Sequence, residues 1–95
     1  MRESPEFLAQ IGLFYTLTGS QREAGEALDA AYRADPDYME TLLARVAYFW
    51  KGSRQEEAVK ELSELVRKGL EEKSLKERPV LKEIVASPLW KNRAK

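Results

Sequence analysis

The chain has 95 residues, 43% of them apolar and 34% charged, which describes one globular domain or part of one and excludes a disordered tail. Sixteen basic and sixteen acidic side chains cancel to a formal net charge of zero, so total charge gives no reason to expect a polyanion as partner. Neither cysteine nor histidine occurs, which removes disulfides, thiolate chemistry, Cys- and His-based metal sites and the commonest general base.

Every segment reads as helix. From Pro5 to Thr18, Phe7, Leu8, Ile11, Phe14, Tyr15 and Leu17 recur at three- and four-residue spacings, behind Ser4 as N-cap and a proline at the first helical position. Gly19 ends this helix. Ser20 to Glu23 reads as a capping box for a second helix from about Gln21 to Ala34, with Ala24, Ala27, Leu28, Ala31 and Tyr32 as its apolar line. Asp35-Pro36 stops it, since the residue before a proline is pushed out of the α region. Asp37 and Glu40 form a further capping box. The third helix follows from about Tyr38 to Lys51, with Met39, Leu42, Leu43, Val46, Tyr48, Phe49 and Trp50 as apolar positions.

Gly52 closes the third helix and Ser53 with Glu56 opens another box. A fourth helix runs from about Arg54 to Leu70, turning Ala58, Leu62, Leu65, Val66 and Leu70 inward and the pairs Glu56/Lys60 and Glu64/Lys68 outward. Glu71 to Ser74 is a polar connector. Two proline-led segments, from Pro79 to Ala86 and from Pro88 onward, carry Leu81, Ile84, Val85, Leu89 and Trp90 as an apolar stripe, and Pro79 and Pro88 each fit a first helical turn. Ser4, Ser20, Ser53, Ser74 and Ser87 all sit where a helix should start. Capping engages a hydroxyl with backbone N–H groups, so these serines are poor nucleophiles without a base.

The zero net charge hides an asymmetry. Residues 1–40 carry three basic and eight acidic side chains, a net of −5, and residues 41–95 carry thirteen basic and eight acidic, a net of +5. Solvated helix faces account for this, and head-to-tail association is a further consequence to test. The first six residues hold no apolar h-region, and the longest unbroken apolar run, Val46 to Trp50, is far short of a membrane span. A soluble cytoplasmic protein with no membrane insertion is the expectation.

Displacing the chain on itself by about 34 residues, the length of a helical-hairpin repeat, aligns identical pairs. They are Glu6/Glu40, Leu8/Leu42, Gln21/Gln55, Glu23/Glu57, Ala24/Ala58, Leu28/Leu62 and Arg33/Arg67, with Tyr15/Phe49 and Phe14/Tyr48 conservative. Ordinary residue usage gives about two identities in such an overlap. Leu8, Ile11, Gly12, Tyr15, Gly19, Ala24, Leu28, Ala31 and Pro36 fall in an order and spacing that resembles the tetratricopeptide repeat family. The physical content of that pattern is two antiparallel helices whose backbones approach at Gly12 and Ala24. The second repeat departs from it: Val46 and Ala47 stand where one small residue is wanted, Gly52 comes one residue early relative to Gly19, and Leu65 and Leu70 replace the equivalents of Ala31 and Pro36.

The resemblance implies an all-α fold, a right-handed α-α superhelix of helical hairpins. Residues 4–36 would be the first hairpin, 37–70 the second, and 71–95 C-terminal capping helices in one continuous domain, with Leu89 and Trp90 covering the last hairpin. It further implies a concave groove lined by the first helix of each repeat, presenting Glu6, Ala9, Gln10, Leu13, Thr16 and Leu17, then Glu40, Leu43, Ala44, Ala47, Trp50 and Lys51. Chaperone-binding members of the family clamp a terminal carboxylate with Lys and Asn. Here the matching positions are Ala9, Leu13, Leu43 and Ala47, so such a clamp is absent. The groove is apolar at its centre. It suits a peptide or protein partner with Trp50 as anchor, or it is filled by the chain's own tail or by a second copy, a homo-oligomer. Two repeats are marginal alone, since stacked arrays need about three.

Other functions find little support. The carboxylates are dispersed, and no phosphate loop, metal-ligand cluster or nucleophile–base pair is present, so no catalytic residue, metal or cofactor is expected. Lys and Arg in the basic half alternate with Glu, which cancels the field a phosphate backbone would feel, so no nucleic acid is expected as partner. A structural segment of a larger assembly, with no separate ligand, is the alternative to a binding module.

Overall fold

The computed structural model describes residues 4–93. Arg2, Glu3 and Lys95, which enter the charge asymmetry, and the last two positions of the expected cap lie outside the described residues. Within them the chain is all-helical and forms no strand. The elements are α1 (Pro5–Thr18), α2 (Gln21–Ala34), α3 (Met39–Lys51), α4 (Gln55–Arg67), α5 (Glu72–Leu75), α6 (Leu81–Ala86) and α7 (Pro88–Lys91).

The first pair is built as its sequence dictates. The Ser4 hydroxyl accepts the Phe7 N–H at 3.2 Å, with proline in the first turn. Gly19 takes φ 86, which lets the Ser20 N–H reach the Tyr15 carbonyl at 2.8 Å and turns the chain back along α1. Gly12 lies so close to α2 that a Cβ there would stand 2.6 Å from Leu28 Cγ. A glycine at this level is therefore what brings the two backbones together.

The second pair keeps the register of the first with different residues. The left-handed residue ending α3 is Ser53, at φ 65, and the Arg54 N–H reaches the Phe49 carbonyl at 2.9 Å. Ser53 stands one repeat after Gly19, so the early Gly52 does not shift the turn. The expected serine box at Ser53 is therefore wrong: Arg54 is the N-cap residue of α4, and its guanidinium grips Glu57 through bonds of 2.6 and 2.7 Å. α4 ends at Arg67, short of the expected Leu70. Gly69 at φ 120 lets the Leu70 N–H close on the Leu65 carbonyl at 3.0 Å. The ion pairs on this helix are Arg54–Glu57 and Glu64–Arg67, three residues apart.

Of the five expected serine caps, Ser4 and Ser87 hold; Ser87 accepts the Trp90 N–H at 3.2 Å. Ser20 makes no capping bond, and Ser74 lies inside α5, donating to the Glu71 carbonyl. The expected Asp37 box is replaced by a turn in which Asp35 Oδ1 accepts the Asp37 N–H, and Tyr38 becomes the N-cap residue. The polar connector thus contains a helical turn, and Pro79 precedes α6 instead of opening it.

One core joins the second hairpin to the tail. Leu43, Val46, Ala47, Phe49, Ala58, Leu62 and Leu65 pack with Leu75, Val80, Leu81, Ile84 and Trp90. Trp90 is buried at 1% exposure, its indole N–H donates to Glu72 at 2.6 Å, and the Arg93 guanidinium lies 3.5 Å above its ring. Leu89, expected to share this cover, is 39% exposed instead.

The two hairpins meet where α3 lies against α1 and α2. The Arg45 guanidinium sits 4.5 Å over the Tyr32 ring, and the Tyr48 hydroxyl occupies the space left open by Gly25. In α1 the buried residues are the small ones, Ala9, Gly12 and Thr16. Three of its large apolar side chains stay outside: Phe7 is 51%, Phe14 62% and Leu17, expected in the groove, 45% exposed.

Candidate binding surface

Leu13 on α1 looks across to Leu43, Ala44 and Ala47, which recur at helical spacing on α3. These side chains line one cavity of about 40 Å³, closed from the other side by Arg78, Pro79 and Leu81. Two devices hold that closure. The first is a bidentate ion pair in which the Arg78 guanidinium donates to both Glu40 carboxylate oxygens, at 2.8 and 2.9 Å, across 38 residues of sequence. Its hydrogen bonds hold the Glu40 carboxyl below its ordinary range and push Arg78 further up.

The second device is a tight turn. The Leu81 N–H reaches back two residues to the Pro79 carbonyl at 2.7 Å, and Val80 between them adopts φ 67. A β-branched residue in that region is strained, by about 1–3 kcal/mol. Burial of the Val80 side chain, 3% exposed, offsets this cost. The chain's own tail therefore covers Leu43 and Ala47, which are 2% and 1% exposed.

The rest of the expected groove divides in two. Glu6, Gln10 and Leu17 are exposed along α1, Leu13 is half-buried, and Lys51 is exposed at the end of α3. Ala9 and Thr16 lie beneath that surface, where the Thr16 hydroxyl donates to the Gly12 carbonyl at 2.8 Å. Trp50 is half-buried against the second-hairpin core and does not line the cavity of Leu13 and Leu43. At the N-terminal end of the groove Tyr38 is surrounded by carboxylates. Desolvation and the charges of Glu6, Glu40 and Asp35 push its phenol upward. That end is acidic, and among the described residues Glu40 alone of the three is neutralised by an arginine.

Two features escaped sequence reasoning. Arg78, given no role, and Pro79, read as a helix start, are the residues that close the groove. Phe7 and Phe14, read only as part of the apolar periodicity of the first helix, are surface. The signal for the second was present: α1 carries one charged residue, Glu6, among fourteen, whereas its partner α2 carries five among fourteen. A helix with so little charge carries apolar side chains on more faces than its neighbours α2 and α3 cover. Among the described residues no three acidic side chains gather as a metal site, and no helix is long and apolar enough to cross a membrane. Compared with protein-family models, curated proteins and solved structures, the chain gives no match.

Proposed function

We propose that this chain is a non-enzymatic protein–protein interaction module of tetratricopeptide type, acting in the cytoplasm. In this reading the two hairpins are successive repeats of a right-handed superhelix, residues 71–95 are its cap, and a peptide or partner protein lies along the concave side. The observation that carries the reading is the apolar side of α1 that faces the groove: Leu17 is 45% exposed and Leu13 is half-buried at the cavity it shares with Leu43. Apolar surface gathered on one element is what a binding face needs and a solvated edge helix does not.

Because the tail occupies the Leu43 and Ala47 half of the groove, the partner contacts Gln10, Leu13 and Leu17, with Trp50 and Lys51 at the far end. The carboxylates of Glu6 and Asp35, which form no ion pair among the described residues, favour a partner with a cationic group at the near end. Affinity capture from the native source tests this with wild type and Leu17→Asp side by side. The expected result is a partner retained by wild type and lost by the variant at unchanged helical content. Equal retention by both would remove the groove from the account. A structural segment with no separate ligand is the second reading, favoured by the filling of the groove centre by the chain itself.

A further inference from the structure

We infer that the outer face of α1 binds a second copy of this chain, head to tail, in the groove that α4 and α7 leave open at the other end. This goes beyond the concave-groove reading, because the α1 residues involved, Phe7, Ile11 and Phe14, line no part of the cavity of Leu13 and Leu43.

The molecule contains its own template for the contact. The displacement of about 34 residues that aligns the repeats carries Phe7, Ile11 and Phe14 onto Thr41, Arg45 and Tyr48. Those α3 residues form the joint to the preceding hairpin. Thr41 is fully buried, Arg45 lies over Tyr32, and Tyr48 fills the gap at Gly25. The face of α1 is thus the same kind of surface as a face of α3 that is covered. What covers the α3 face is the ridge of Gly25 and Tyr32 on α2. The same displacement carries that ridge onto Val59 and Val66 of α4. On α4 that ridge is already packed into the core by the tail, with Val59 at 7% exposure and Val66 half-buried, so what the free end offers to Ile11 and Phe14 is the rim beside it, the edge of Val59 and the exposed Leu89, apolar to apolar.

The receiving site is open. Val59 lines a groove of about 450 Å³ together with Leu89 and Arg93, and Leu89 is 39% exposed there. The charged groups in its walls, Glu56 and Glu64 against Lys60 and Arg93, balance. The surroundings do not. The first hairpin and its linker carry Glu6, Glu23, Glu26, Asp29, Asp35 and Asp37 against Arg22 and Arg33. The stretch from Pro79 to Arg93 carries Lys82, Lys91 and Arg93 against Glu83. Joining the acidic end of one copy to the basic end of the next is attractive. Joining two α1 faces would set like charge against like. The contact is heterologous, so it leaves a free end after each addition unless a ring closes.

Sedimentation of the full chain tests the arrangement. With a contact this small, association is expected to be weak, so the useful range is from about 10 μM to about 1 mM. Wild type should rise above the monomer mass of 10.9 kDa with concentration, and less so in high salt. Phe14→Glu removes the head and Leu89→Glu removes the tail. Each should stay monomeric alone, and an equal mixture should form a 1:1 dimer that grows no further, because one good head meets one good tail. Both positions are exposed, and circular dichroism checks that both variants fold. A wild type that stays monomeric at every concentration overturns the inference. So does a Leu89→Glu variant that associates like wild type, which would mean paired α1 faces, and so does a mixture that remains monomeric while wild type associates. These outcomes are independent of Leu17→Asp, which reports on the concave groove alone.

Discussion

The two hairpins solve the same packing problem in opposite ways. In the first, a glycine lets α1 and α2 close tightly, and the reward is a joint that needs no help, with Leu28 at 2% exposure. Its outer face is left bare. In the second, the position equivalent to Gly12 is Val46, fully buried, and the interior is completed by residues of the tail: Leu75, Leu81, Ile84 and Trp90. One hairpin is self-sufficient inside and unfinished outside, and the other is finished only because the chain returns to cover it. A helical hairpin can be stabilised by close backbone approach or by borrowed cover, and this chain uses one device in each.

The sharpest way to break the comparison is at the borrowed cover. Trp90→Ala should cost about 3–5 kcal/mol, since it empties a fully buried aromatic site. Against a total of about 5–15 kcal/mol for a small domain, that leaves the second hairpin close to unfolding in urea or heat. Trp90→Phe keeps one aromatic ring and loses the rest of the indole with its bond to Glu72, so it should cost less, about 1–3 kcal/mol. An unchanged urea midpoint for Trp90→Ala would show that the tail lies on the hairpin without supporting it. At the self-sufficient end, Gly12→Ala should cost about 1–3 kcal/mol by forcing the added methyl against Leu28, which is too buried to move aside. If it stabilised the protein, as an alanine does in an unobstructed helix, the close approach would not be what holds the first pair.

Much of this architecture was legible. The helix limits of the first pair followed from Ser4-Pro5, Gly19 and Asp35-Pro36, because caps and breakers act locally. The second pair was read less well, since its turn uses a serine in a left-handed conformation that composition points to a neighbouring glycine to fill. Of the candidate groove, Leu13, Glu40, Leu43, Ala44 and Ala47 come together on α1 and α3, whereas Ala9 and Thr16 lie beneath the surface and Trp50 lies outside the cavity. The occupancy of the groove was not legible, because the Arg78–Glu40 pair spans the whole second hairpin and the turn at Val80 obeys no local preference. The exposure of Phe7 and Phe14 ran against their type, and only the near-absence of charge on α1 announced it.

The correspondence of Ser53 with Gly19 gives a smaller test, one that makes the two hairpins more alike. Ser53 is exposed and holds φ 65 with no side-chain capping bond on α4 to lose. Ser53→Gly should therefore stabilise by about 0.5–1 kcal/mol, the relief of a left-handed conformation less the added freedom of the unfolded chain. Gly19→Ser, the reciprocal change, should cost a similar amount. Equal urea midpoints for all three proteins would mean that the two turns are not equivalent.

The smallest effect concerns how firmly the tail is latched. Arg78 depresses the folded-state pKa of Glu40 below its unfolded value, so the pair contributes stability above the ordinary glutamate range, about 4.3, and loses it as pH falls through the lower folded value. Arg78 stays charged throughout and adds no pH dependence of its own there. The two side chains are 37% and 47% exposed, so solvent screening discounts the pair to about 0.5 kcal/mol. Glu40→Gln should melt slightly below wild type at pH 7, and the gap should close on acidification as wild type loses the same pair. High salt should narrow the gap at pH 7 as well. A gap that persists in acid would mean that Glu40 acts by packing against Arg78 and Pro79, with the tail held on the second hairpin by apolar contacts alone.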